Sequence, residues 1–143
     1  MSNLAEAAEQ AREKGDVNIL IDAIPYAKTL GIQADHSDDL VFVLMPRKSN
    51  IGNPTLPALH GGAVGGFLEM VSSLHLIMAM DVAKMPKVVD FSIDYLRPGL
   101  FKELYARCTI QKFGNKLVNI AVDCWQEEEG KSIAKARVQF LID

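Results

Sequence analysis

Three features in the middle of the chain could do chemistry together: Asn53, the His60-Gly61-Gly62 turn, and Glu69, nine residues after the histidine. Pro54 and Pro57 keep the stretch from Asn53 to Ala58 out of a helix. An apolar run then extends from Leu59 to about Met80. The glycines sit where loop becomes helix, so unpaired backbone N–H groups and the positive end of the helix dipole lie open to a close-approaching substrate. That is a place to hold a carbonyl oxygen on which negative charge develops. A carboxylate within an apolar helix needs a partner or a function, and the function its type offers is that of a general base or a nucleophile. Taken singly, each has a plainer reading: a tight turn, a hydrogen-bonded structural histidine, a rim or buried salt bridge.

The elements around these residues must position them. Leu59, Ala63, Val64, Phe67, Leu68, Val71, Leu74, Ile77 and Met78 cover nearly every side of a helix, which predicts a helix buried all round. A run of this length could also span a bilayer. Glu69 at its centre, which costs about 2.5–3.5 kcal/mol in lipid, and the lack of a basic flank favour a core helix and no membrane. Nine residues of helix advance about 13.5 Å and turn the side chain to roughly the opposite side. His60-Gly61 and Glu69 of one chain therefore cannot grip the same carbonyl, and the site must join the turn of one subunit to the acid of another.

Ahead of this stretch, residues 2–14 read as a polar helix ending at Gly15. Asp16 caps a second, short helix from Val17 to Ala23, stopped by Pro25, with Val17, Leu20, Ile21 and Ile24 as its apolar stripe. These helices are expected to cover an edge of the fold or the entrance to a pocket. From Gly31 the pattern turns to strands: Ile32 to His36 and Leu40 to Pro46 form a hairpin turning at Ser37-Asp38-Asp39. Beyond the long helix, Val89, Phe91, Ile93 and Tyr95 alternate with polar residues as a half-buried strand. Three further strands place Leu104 to Ile110, Val118 to Cys124 and Ala134 to Ile142 with their apolar residues at even positions. Each hairpin loop must then hold an odd number of residues. Gly114-Asn115-Lys116 and Glu128-Glu129-Gly130 fit, the latter with Gly at a left-handed position. In that register Cys108 faces Val122 and Cys124 faces Ala106, so the sulfurs are diagonal neighbours, and both cysteines are expected as free, packed thiols.

The whole reads as α+β, a curved antiparallel sheet wrapped around one long central helix. Residues 1–30 form an N-terminal helical segment packed on the same domain, and 31–143 form the main body, one domain overall. A net charge of −3 excludes the basic excess of nucleic-acid binders. Three separated histidines and two cysteines offer no metal-ligand spacing, and neither a serine nucleophile elbow nor a phosphate-binding glycine loop is present. The first residues lack the basic and apolar regions of a signal peptide, so the cytoplasm is expected.

Asn53, His60-Gly61-Gly62 and Glu69, with the strand order, resemble the hotdog-fold thioesterases of the phenylacetate-pathway type, in the 4-hydroxybenzoyl-CoA thioesterase superfamily. Those enzymes carry an Asn, a His-Gly-Gly turn and an acid nine positions after the His. Two departures stand out: Asn53 lies seven residues before His60 where the family spacing is six, and Val88 replaces a Ser or Thr found in some relatives. The resemblance implies the hotdog fold, hydrolysis of an acyl- or aryl-CoA thioester, no cofactor beyond the CoA of the substrate, and a homodimer that pairs into a dimer of dimers. By it, Gly61 donates its N–H to the thioester carbonyl, His60 and Asn53 shape the turn, and the partner's acid, Glu69 here, activates water or attacks directly. Gly62 lies beside the substrate. Arg97, Lys112 and Lys116 are candidates for the CoA phosphates, as are Arg47 and Lys48. A non-catalytic acyl-CoA-binding module of the same fold is the alternative.

Overall fold

The alternation of apolar and polar residues after position 86 builds long strands, and these curl around the one long helix. A computed structural model describes residues 2–37, 39–53, 55, 57–80 and 86–142, and the backbone only at 2, 3 and 53. In chain order the elements are α1 (Ser2–Lys14), α2 (Val17–Asp22), α3 (Pro25–Leu30), β1 (Ile32–Asp35), β2 (Val41–Leu44), a 3-10 turn at Lys48–Asn50, β3 (Ile51–Asn53), β4 (Ala58–Leu59), α4 (Gly61–Ala79), β5 (Lys87–Tyr95), β6 (Leu104–Phe113), β7 (Leu117–Trp125) and β8 (Ser132–Leu141). The antiparallel sheet runs β1-β2-β6-β7-β8-β5, and β3 pairs β4 separately. This is the hotdog fold.

The even-numbered face predicted for β6, β7 and β8 is the inner one: Leu104, Ala106, Val118, Ile120, Cys124, Ala134, Val138 and Phe140 are buried against Phe67, Leu68, Val71 and Leu74 of α4. Cys108 faces Val122 and Cys124 faces Ala106, as the parity argument requires. Both thiols are free. Burial pushes both thiols up, Cys124 to about 12, so neither is a nucleophile. Gly130 is left-handed at φ 103°, as expected.

The tight loops are corrected by bulges. The β6–β7 register slips between Ile110 and Lys112, so the hairpin closes on Phe113 opposite Val118, an even loop, while the strand bodies keep the odd-loop register. The β7–β8 pairing shifts after Cys124, and residues 126–131 form a longer connection than the three expected. A third shift in β5, between Val88 and Asp90, sets Val88 opposite Phe140 and leaves Val89 exposed. Each extra residue bends its strand and sharpens the twist, which lets the sheet curve around α4.

The outer face carries a row of alternating charge across four strands. Asp94 lies opposite Lys135, Lys135 opposite Asp123, and Asp123 opposite Arg107. Asp123 accepts from the Ser132 hydroxyl at 2.5 Å, and Arg107 makes a forked pair with Glu129.

The N-terminal helices cover α4 on the side away from the sheet, and they also close one sheet edge. Ala8, Ala11, Val17, Leu20, Ala27 and Leu30 join the same apolar cluster as α4, and Arg12 donates to the Ile77 carbonyl at 3.0 Å. Asp16 caps α2 through the Asn18 N–H, as read. Pro25, however, opens a further helix, α3, instead of only stopping α2: its fixed φ and missing N–H suit a first helical position.

The expectation of a helix buried on every side does not hold. Gly61, Gly62, Glu69 and Ala79 are exposed, and Gly65, Gly66, Met70, His75 and Met78 are half-buried. These positions are covered only in part, by single side chains: Tyr95 of β5 lies over Gly61 and Gly65, and Tyr26 of α3 over Gly66. The helix is long and apolar enough to cross a membrane by length and composition, but more than half of it is buried within the protein. Burial lowers the His75 imidazole from its ordinary value.

Candidate functional site

The junction of β4 and α4 is built from backbone hydrogen bonds that leave one donor over. Gly52 lies so close to His60 that a side chain there would collide with its Cα. The His60 N–H donates to the Asn50 carbonyl at 2.6 Å, and the His60 carbonyl accepts from Val64 N–H at 3.1 Å as α4 begins. His60 is the N-cap, with φ −64° and ψ 133°, and its Nδ1 accepts from the Gly62 N–H at 2.9 Å. The histidine thus does the work usually given to Ser or Asp at this position. The Gly61 N–H has no acceptor among the described residues, and it points from the positive end of a 19-residue helix.

A cleft of about 310 Å³ opens at this point, lined by Leu59, Gly61, Val64, Tyr95, Leu96, Arg97, Pro98, Gly99 and Ile133. Its wall is largely apolar, with the glycine backbone, the Tyr95 hydroxyl and one guanidinium among its polar elements. Leu59 N–H donates to Gly99 O at 2.7 Å, which ties the Pro98-Gly99 turn to β4. Arg97 spends one guanidinium N–H on the Ser132 carbonyl at 2.6 Å and stays exposed.

The predicted residues fall into two groups. His60, Gly61, Gly62 and Arg97 come together at the N-terminal end of α4, and the Asn53 backbone lies close by, since β3 pairs β4 at Asn53–Ala58. Lys112 and Lys116 do not join them in one chain. Lys116 accepts from Ile142 N–H beyond one end of β8, whereas Arg97 bonds to Ser132 at the other; an extended strand of that length spans about 30 Å. Arg47 packs its side chain over Gly31 at the end of α3, away from the cleft, and Lys48 lies in the following 3-10 turn.

Glu69 is exposed, not enclosed in apolar surroundings. Its carbonyl accepts from the Ser72 and Ser73 hydroxyls, at 2.7 and 3.3 Å. The rotation argument changes as well. Because His60 is a cap and α4 starts at Gly61, Glu69 is only about 80° around the helix from Gly61, and both are exposed. The separation along the axis, about 12 Å, still keeps them from one small group.

Tyr95 is the residue that the strand pattern hid. Read as part of an apolar face, it is 53% exposed, and its hydroxyl donates to the Gly61 carbonyl at 2.7 Å. The signal available in the sequence was the Gly61/Gly65 pair, four apart on one helix face, which leaves a smooth seat for a ring. No group of three or more His, Cys, Asp or Glu among the described residues could hold a metal.

The profile of the thioesterase superfamily matches residues 56–133, more than half of the chain, and takes in the turn, α4 and strands β5 to β7. The chain belongs to the thioesterase superfamily. A superfamily relative named medium/long-chain acyl-CoA thioesterase YigI, from Escherichia coli, is 24% identical over 136 residues, covering 83% of this chain and 86% of its own. A crystal structure of a Chromobacterium violaceum protein is 35% identical with a TM-score of 0.78, covering 96% of this chain and 97% of that one. A phenylacetic acid degradation-related protein from Ralstonia eutropha shares the fold at 21% identity and a TM-score of 0.72, over 83% of this chain and 91% of its own.

Proposed function

We propose that this superfamily member hydrolyses an acyl-CoA thioester: water adds to the thioester carbonyl, the C–S bond breaks, and a carboxylic acid and the CoA thiol leave. The observation that carries the reading is the Gly61 N–H, without an acceptor among the described residues, at the positive end of α4 and on a residue that lines a largely apolar cleft. A backbone donor so placed stabilises the oxyanion of acyl transfer. The name of the E. coli relative points to the same reaction on medium or long acyl chains, and Leu59, Val64, Leu96 and Ile133 suit an alkyl group.

Glu69 of a second subunit supplies the base, deprotonating water or, by the alternative route, attacking to give a mixed anhydride. The phenylacetate-pathway kinship remains part of this proposal, as do the cytoplasmic setting and the supporting roles of Asn53, His60 and Gly62. The second subunit pairs its β5 edge antiparallel with this one, in a two-fold dimer that can pair again. Such pairing brings the Tyr95 end of one β5 to the Lys87 end of the other. Lys87 lies opposite Leu141, beside Lys116. Lys112 and Lys116 would then serve the CoA phosphates of the site built on the partner's turn, with Arg97 contributing from the turn side.

The test is complementation, read as thiol release from a panel of acyl-CoA esters. Glu69→Gln should lose about a thousandfold in kcat while still binding the ester. Gly61→Phe should be inactive but folded by circular dichroism. Mixed after dissociation, the two should recover about a quarter of wild-type activity, since about half the dimers are mixed and each has one intact site. No recovery from verified heterodimers means that one chain builds the whole site. Binding without turnover by the wild-type protein would make it an acyl-CoA-binding module instead.

A further inference from the structure

Four glycines open α4, and each faces a ring. A Cβ on Gly61 would lie 3.7 Å from the Tyr95 ring, one on Gly65 3.3 Å from its hydroxyl, and one on Gly62 2.9 Å from His60 Nδ1; one on Gly66 would run into the Tyr26 hydroxyl. The glycines are therefore seats for side chains from other elements, and Tyr95 occupies the pair nearest the turn.

Its hydrogen bond lands on a group that matters. The peptide joining Gly61 to Gly62 is held from both ends: His60 Nδ1 accepts from its N–H and the Tyr95 hydroxyl donates to its carbonyl, at 2.9 and 2.7 Å. The preceding peptide has its carbonyl fixed by Val64 N–H and its N–H, that of Gly61, left over. Glycine has the widest backbone freedom of any residue, so the direction of this N–H depends on what clamps the peptides on either side of it.

We infer that Tyr95 is a positioning residue for the hydrolysis proposed above, on which this inference rests: its hydroxyl, with His60, clamps the Gly61–Gly62 peptide so that the Gly61 N–H stays aimed at the developing oxyanion. Tyr95 acts through Gly61, and the effect belongs to kcat, because an oxyanion donor is needed most in the transition state. A misaimed donor of this kind costs up to about a hundredfold in rate.

The experiment compares Tyr95→Phe, Tyr95→Leu, His60→Ala, the Tyr95→Phe/His60→Ala double variant and Glu69→Gln, measuring kcat and KM for thiol release from an acyl-CoA ester, with melting curves for each. Tyr95→Phe keeps the ring and should lower kcat about ten- to a hundredfold while leaving KM within about twofold, an order-of-magnitude bound on a loss confined to the transition state. Tyr95→Leu should be at least as slow. Because Tyr95 and His60 hold one peptide, their losses in kcat should combine to less than their product, a non-additivity that a general packing role would not produce. If Glu69→Gln is inactive while Tyr95→Phe and Tyr95→Leu keep wild-type kcat, or are slow only through KM, the assignment of Tyr95 falls and the reaction stands. If Glu69→Gln turns over like the wild type, the assignment of Glu69 as the base falls; if the wild type itself releases no thiol, the reaction reading falls.

Discussion

The two edges of the sheet are treated in opposite ways. At the β1 edge the chain closes itself: the Asn18 side chain exchanges two hydrogen bonds with the Ala34 backbone, at 2.9 and 3.0 Å, and His36 Nε2 accepts from Val17 N–H at 3.1 Å. An amide side chain here plays the part of a neighbouring strand. At the other edge β5 pairs only with β8, and Val89, Tyr95 and Leu96 stand exposed along or just beyond it. An open nine-residue edge invites pairing with another chain. One edge is thus blocked with a dedicated side chain, and the bare one is the edge that the dimer proposed above would use. Gly61 and Glu69 of α4 are likewise exposed. Closure at β1 serves stability, and in the proposed dimer the open β5 edge would serve the site.

This contrast can be broken at either edge. The largest effect is expected at β5: Val89→Lys, placing a charge on the exposed bulge, should shift the protein to monomer by light scattering and lower thioester hydrolysis at least tenfold, with the monomer still folded. Unchanged activity in a verified monomer would show that β5 does not assemble the site. At the β1 edge, Asn18→Ala leaves the Ala34 N–H and C=O without their side-chain partner. It should destabilise the protein by about 1–3 kcal/mol in urea unfolding and leave kcat unchanged; a matching loss of kcat would tie the two edges together. The smallest effect is expected for His36→Ala, which removes the acceptor for one N–H in the first turn of α2. About 0.5–1.5 kcal/mol should be lost, and no measurable loss would leave Asn18 as the sole closure.

Much of the fold was legible because parity survives local detail. Even-numbered apolar residues in three strands gave the face and the register of the strand bodies, including both cysteines. The bulges were not legible: they depend on how far each strand must bend to follow α4, and no residue type marks them here. Pro25 was ambiguous, since a proline ends one helix and opens another by the same geometry. The site was half legible. The loop-to-helix glycines marked the turn, but Glu69 was read as enclosed because counting apolar positions around a helix does not say which of them another element covers. Lys112, Lys116 and Arg97 look alike in sequence, which does not reveal that β5 lies beside β8 and so puts that hairpin at the far end of the sheet. Tyr95 was missed because its alternation with polar residues is the same whether its ring packs on the core or on a glycine seat.

The charged row on the outer face bears on how the strands find one another. Apolar alternation is blind to a slip of two residues, which keeps every side chain on its own face. The row is not blind to it. If β7 slid by two against its neighbours, Ala121 or Trp125 would stand where Asp123 stands, and Lys135 and Arg107 would lose the acid between them. Each cross-strand pair contributes only about 0.2–1 kcal/mol, little beside the buried core, and adds to the packing mismatch of setting Ile120 or Cys124 where Val122 sits. The outer surface therefore acts as a second mark for strand alignment, weighing against slips that the apolar pattern alone does not forbid.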